Sequence, residues 1–195
     1  GIVSSNQLVE AFEDDTLLVS VMLANNEIGV VQPVADLVEL CRDRGIAFHS
    51  DAAQVFGFLP LEPRALGLDF MSLSGHKLYG PKGIGALVSL SELSLIPLLW
   101  GGGQEQGLRP GTIPVPLVIG LAAAAELAYK DLEKRREHLS FLRNQLWEGL
   151  RENLPDLILN GGEEYEIVAT ASRSSLSDIK KYAKKHRIKM YEIGY

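Results

Sequence analysis

Ser74, His76 and Lys77 place a hydroxyl, an imidazole and an amine within four residues, and Asp51 and Gln54 place a carboxylate and an amide three residues apart. A lysine amine condenses with an aldehyde. A lone carboxylate can hold a proton on a ring nitrogen, an amide can meet a ring hydroxyl, and hydroxyl and imidazole groups can collect around a phosphate. Together these are the demands of a Schiff-base lysine holding pyridoxal 5'-phosphate. Taken singly each residue has an ordinary structural use: Asp51 as a helix cap or turn residue, His76 as a surface or hydrogen-bonded histidine. It is the combination that points to a site.

Other phosphate chemistries fail on spacing. A phosphate-cradling P-loop places a lysine and then a hydroxyl residue directly after its second glycine. From Gly75 to Gly80 the glycine spacing is right, but Pro81 takes the lysine position and Gly83 follows Lys82. The glycines at 101–103 also lack a G-x-G-x-x-G spacing, so no dinucleotide fingerprint is present. Of the two lysines, Lys77 follows the Ser74–His76 pair at once. Lys82 lies beyond Tyr79, Gly80 and Pro81, a turn that aims it elsewhere.

The elements that must position these residues are legible. TLLVSVMLA (16–24) is a continuous apolar, β-branched run ended by the turn residues NNEIG, which predicts a strand. Pro33 opens and Gly45 closes a predicted helix over 33–44. IAFHSD (46–51), LDFMSLS (68–74) and GIGALVSL (83–90) predict three further strands. Runs this apolar with a helical crossover predict an α/β layer, a mostly parallel sheet buried on both faces. Ligands then gather beyond the carboxyl ends of the strands, where Asn25, Asn26 and Glu27, then Asp51 and Gln54, then Ser74, Gly75, His76 and Lys77 fall. After the glycine-rich GGGQEQGLRPGT (101–112), the stretch 115–154 has apolar residues at spacings of three and four, including Leu121, Ala125, Leu127, Leu132, Leu139, Leu142, Leu146 and Leu150. It predicts one long packing helix with a kink near Lys130.

Bulk properties narrow the partners. The 195 residues are 46% hydrophobic and 23% charged with a formal charge of −6, ordinary values for a globular protein. Acidic and basic residues are interspersed, so no basic stripe tracks a nucleic acid. Lys180, Lys181, Lys184, Lys185, His186, Arg187 and Lys189 read as a solvated helix face. No apolar run reaches membrane-spanning length and no signal pattern opens the chain, so a cytoplasmic protein is expected. Cys41 is the only cysteine, which excludes an intrachain disulfide and a thiolate zinc cluster and suits a small buried hydrophobe on a helix face. No metal site is expected.

VSVMLANNEIGVVQPV, FHSDAAQVFG, DFMSLSGHKLYGPKGIGAL and GGGQEQGLRPGT resemble, in order and spacing, the cysteine desulfurases of the NifS/IscS type within the class V aminotransferase family of pyridoxal-phosphate enzymes. The resemblance covers about residues 1–160. It implies the central part of a fold type I large domain, mostly parallel sheet with flanking helices and one long C-terminal helix. It also implies a homodimer that converts L-cysteine to L-alanine and passes sulfur as a persulfide to an acceptor or scaffold protein, for iron-sulfur cluster or thio-cofactor synthesis. Carried over by motif, Lys77 would be the Schiff-base lysine with His76 beside it in catalysis, and Asp51 the pyridinium partner. Asn26 and Gln54 would contact the ring and its hydroxyl, Ser74, Gly75 and His76 the phosphate, and Thr112 the phosphate of the neighbouring subunit's cofactor. Selenocysteine lyases share much of this pattern. The family's GATE-type phosphate loop, ring-stacking histidine, sulfur-accepting cysteine loop and substrate-binding arginine have no matching stretch, and Cys41 does not match that loop. The expectation is therefore a fragment with an incomplete site, or a non-catalytic remnant or dimerisation module of the same fold.

Residues 161–195 read as a separate strand-helix-strand tail, βαβ-like, whose GGEEYE resembles the C-terminal domain of thiamine-monophosphate kinase. A kinase or nucleotide-binding role would rest on that tail alone.

Overall fold

The computed structural model describes residues 1–154, 156–161, 168–170 and 176–185. The predicted first strand divides in two. β1 (Leu18–Met22) enters the main sheet, while β2 (Ala24–Asn25) turns away to pair antiparallel with β3 (Val30–Val31). The division falls at Leu23, whose N–H donates to Asp51 O at 2.8 Å and whose O accepts from Gln32 N–H at 2.8 Å. α1 (Ser5–Glu10), which the sequence pattern did not signal, precedes β1. α2 (Val34–Arg42) follows β3, with Pro33 just ahead of its first turn and Gly45 in the left-handed region at φ 69° beyond its end, where glycine carries no Cβ penalty.

β4 (Ala47–Asp51), β5 (Phe70–Ser74) and β6 (Gly85–Ser89) complete a four-stranded sheet in the order β1-β4-β5-β6. β1, β4 and β5 are parallel; β6 runs antiparallel to β5. Asp69 fixes the register of the central pair: its N–H donates to Phe48 O at 3.0 Å and its Oδ2 accepts from Phe48 N–H at 2.8 Å.

Strand periodicity puts Val19, Val21, Phe48, Met71, Leu73 and Val88 on one face of the sheet, against Leu37, Val38 and Cys41 of α2. Phe48 and Leu37 are fully buried, each contributing about 1.5–3 kcal/mol by burial. Ser50, buried on the same face, donates from Oγ to Val21 O at 2.9 Å, which satisfies the one polar side chain in that layer. The opposite face is less covered than predicted: Leu18 and Leu87 are about half exposed, at 50% and 56%.

The predicted long helix is interrupted at Asp131, giving α3 (Val115–Lys130) and α4 (Leu132–Asn153). β7 (Ile158–Gly161) pairs antiparallel with β8 (Val168–Thr170), and α5 (Leu176–Lys185) follows. On α5, Lys180, Lys181, Lys184 and Lys185 are exposed. GEEYE (162–166), the predicted last strand and His186, Arg187 and Lys189 lie outside the described residues. The chain divides into two compact units, Gly1–Asn25 with Val30–Lys134 and Asn26–Gly29 with Arg135–Tyr195. Among the described residues no helix is long and apolar enough to cross a membrane.

Candidate active site

Parallel pairing brings the carboxyl ends of β1, β4 and β5 to one edge of the first unit. Met22 pairs with Asp51, and Asp51 with Ser72. Because β5 runs two residues past that row, Ser74 stands about 7 Å farther out along the strand direction. Met22, Asp51, Ser72 and Ser74 alternate onto one face, the face opposite α2. Asp51 is half-buried, and its Oδ1 accepts from Ala53 N–H at 2.9 Å. That bond closes the turn carrying Gln54, also half-buried.

Beyond Ser74 the chain forms a single 3₁₀ turn, Gly75–Leu78. Gly75 N–H donates to Ile84 O at 2.9 Å, and Gly80 N–H donates back to Gly75 O at 3.1 Å. A Cβ on Gly75 would meet Ile84 Cγ2 at 2.8 Å and Ile84 O at 3.0 Å, so only glycine lets the strand end approach Ile84 this closely. Tyr79 ends the turn in the left-handed region at φ 60°. Lys77 rides on this turn, half-buried; Lys82 is exposed past Pro81.

Ser74 Oγ and His76 Nδ1 lie 3.0 Å apart across Gly75. The pair offers an anion a donor in either neutral tautomer. If Nδ1–H donates to Ser74, the Ser74 hydroxyl proton is left for the anion; if Ser74 donates, Nε2–H is left. Asn26 lies half-buried in the turn between β2 and β3, within the second compact unit. Thr112 is exposed after Gly111, itself at φ 119°. The structure thus gathers Asp51, Gln54, Ser74, Gly75, His76 and Lys77 at the edge of one unit; Asn26 belongs to the other, and Thr112 sits on the loop before α3.

Cys41 is buried at 0% exposure, and burial, with the charge of Asp69 second, pushes its thiol pKa up. A protonated, enclosed thiol is a poor nucleophile. Among the described residues no group of three His, Cys, Asp or Glu could hold a metal ion.

Sequence reasoning passed over His49, whose Nδ1 lies 2.7 Å from Ser20 Oγ. The signal was available: His49 precedes Asp51 by two residues, so strand alternation puts both on one face.

The aminotransferase class-V family model matches residues 1–191. The match takes in most of the 161–195 tail, and no comparison supports the likeness of that tail to thiamine-monophosphate kinase. A cysteine desulfurase IscS of Rickettsia rickettsii (strain Iowa) is 47% identical over 163 residues, 83% of this chain and 40% of its own length. A NifS-like protein from Rickettsia africae ESF-5 superposes with a TM-score of 0.82 at 29% identity, covering 100% of this chain and 56% of the other. SspA in complex with cysteine superposes with a TM-score of 0.74 at 34% identity, covering 94% of this chain and 51% of the other. The chain spans 40% of the length of the curated relative it matches.

Proposed function

The chain belongs to the aminotransferase class-V family, and on that premise we propose that it is part of a pyridoxal-phosphate-dependent cysteine desulfurase, with residues 1–160 contributing to the large domain. The observation that carries this reading is the arrangement on the β4–β5 edge. A carboxylate, a paired hydroxyl and imidazole, and an amine on a tight turn sit along one strand end.

The donor set fits the cofactor. When bound, pyridoxal phosphate supplies an aldehyde and an electron-accepting ring. Lys77 would hold the aldehyde, Asp51 would keep a proton on the ring nitrogen, Gln54 and Asn26 would meet the ring, and Ser74, Gly75 and His76 the phosphate. Thr112 would serve a neighbouring subunit's phosphate in a homodimer. Asp51 suits its role because Ala53 N–H holds Oδ1, which orients the carboxylate and leaves Oδ2 for the ring proton. L-cysteine is the substrate of the reading, L-alanine the product, and a cytoplasmic sulfur-acceptor protein the partner. Since Cys41 is enclosed and kept protonated, sulfur would leave on a thiol outside these 195 residues.

Borohydride treatment of the chain mixed with pyridoxal phosphate tests the assignment. A covalent label mapping to Lys77 and absent in Lys77→Ala is expected. A label of equal yield in Lys77→Ala would remove the proposal's basis.

A further inference from the structure

α3 presents small residues to the lysine turn. A Cβ on Gly120 would lie 2.7 Å from Pro81 Cγ and 3.0 Å from Pro81 Cδ; one on Gly80 would lie 3.1 Å from Ala124 Cβ; one on Gly57 would lie 2.6 Å from Leu78 Cδ2 and 2.8 Å from Ala128 Cβ. Gly120, Ala124 and Ala128 recur every four residues and so share a helix face. That face touches Gly80 and Pro81, three and four residues after Lys77, and Gly57, three residues after Gln54. Leu78 and Ala128 are both buried, at 5% exposure each.

Glycine is a poorer helix former than alanine, so α3 carries Gly120 against its own propensity. The approach of Pro81 accounts for it, because a proline ring cannot rotate out of the way as a flexible side-chain end can. Pro81 O also lies 3.2 Å from where a Gly75 Cβ would stand, so displacing Pro81 disturbs the start of the 3₁₀ turn as well as its exit.

We propose that Gly120 is a positioning residue for Lys77, acting through Pro81 to fix the height of the lysine turn against α3. The inference rests on the reading of Lys77 as the cofactor lysine only for its consequence; the mechanical coupling itself is independent of the cofactor.

The test uses the full chain and two lysine reagents. Pyridoxal phosphate with borohydride reads cofactor capture. Formaldehyde with a borane reads the bare reactivity of Lys77 by peptide mass, with exposed Lys134 as internal reference. In Gly120→Ala, capture at Lys77 should fall by about ten- to a hundredfold, the penalty expected for a misplaced reacting group. The Lys77:Lys134 methylation ratio should shift at least about twofold, while the melting temperature falls only modestly, because alanine's helix preference offsets part of the overpacking against Pro81. Adding Pro81→Ala should restore both readouts. Unchanged methylation in Gly120→Ala, or no recovery in the double variant, overturns the inference. If parent protein captures no pyridoxal phosphate, the cofactor reading fails while the methylation ratio still decides the coupling. Should Gly120→Ala not fold, Pro81→Ala alone opens the same contact. A shifted Lys77 ratio is then expected, and an unshifted one overturns the proposal.

Discussion

Ser74 Oγ and His76 Nδ1 stand 3.0 Å apart across Gly75, joined by a hydrogen bond that leaves the pair one donor to spare whichever atom holds the shared proton. The two side chains therefore act on an anion as a unit. Ser74→Ala or His76→Ala alone should weaken pyridoxal phosphate binding about three- to tenfold, the value of one neutral hydrogen bond. The double variant should lose less than the product of the two, because each single change already breaks the pair. A spectrophotometric titration of all four proteins decides the point. Losses that multiply to within the usual error of independent sites would mean the pair does not act jointly.

Asp51 has a structural duty that asparagine can keep, since an amide oxygen also accepts from Ala53 N–H. Asp51→Asn should therefore leave the urea midpoint nearly unchanged. It removes the charge, and a hydrogen bond to a charged partner contributes about 1.5–3 kcal/mol. Pyridoxal phosphate affinity should fall by about ten- to a hundredfold. Equal affinity in the variant would show that Asp51 serves the turn alone.

Much of this rim could be read in the sequence because strand ends and chemistry coincide there. IAFHSD and LDFMSLSGHK start apolar and end polar, and parallel pairing of β4 with β5 brings their ends together without further information. Where the reading departed from the structure, tertiary contacts decided. TLLVSVMLA has no glycine, proline, asparagine or aspartate between Leu17 and Ala24, yet Leu23 divides it because its backbone bonds both Asp51 and Gln32. The helical period over 115–154 is continuous, and the kink expected near Lys130 is a full break at Asp131 that divides it into α3 and α4. The role of Gly120 was illegible because a glycine in a helix shows its reason only through the neighbour it admits.

Gly75 carries the same logic into stability. Alanine there would press on Ile84 Cγ2 and on Ile84 O, and that carbonyl is held in place by Gly75 N–H itself. Overpacking of this kind costs about 1–3 kcal/mol. Gly75→Ala should lower the urea midpoint accordingly, and Ile84→Ala in the same chain should recover only part, because the backbone oxygen stays. Full recovery would place the strain on the Ile84 side chain alone.

Cys41 and Tyr129 set the alkaline limit. Burial raises the Cys41 thiol pKa above its ordinary 9.0, with Asp69 adding to the shift; burial raises the Tyr129 phenol above its ordinary 10.0, with Glu62 adding. Each group holds its proton more tightly folded than unfolded. Its contribution to stability is therefore whole below the unfolded pKa and is lost as pH rises from there through the folded value. Unfolding free energy should be flat from pH 7 to 8.5 and decline above about pH 9. Cys41→Ala costs core packing at every pH but has no thiol to ionise. The gap between parent and Cys41→Ala in urea midpoints should therefore narrow between pH 8 and pH 10.5, while Tyr129 keeps a shallower decline in both. The same enclosure predicts that a thiol reagent labels Cys41 only at the rate of unfolding, and that Cys41→Ala leaves capture at Lys77 unchanged. A gap that stays constant across that range would mean the thiol ionises as easily in the folded chain as in the unfolded one, and its burial between α2 and the sheet would then have no bearing on its chemistry.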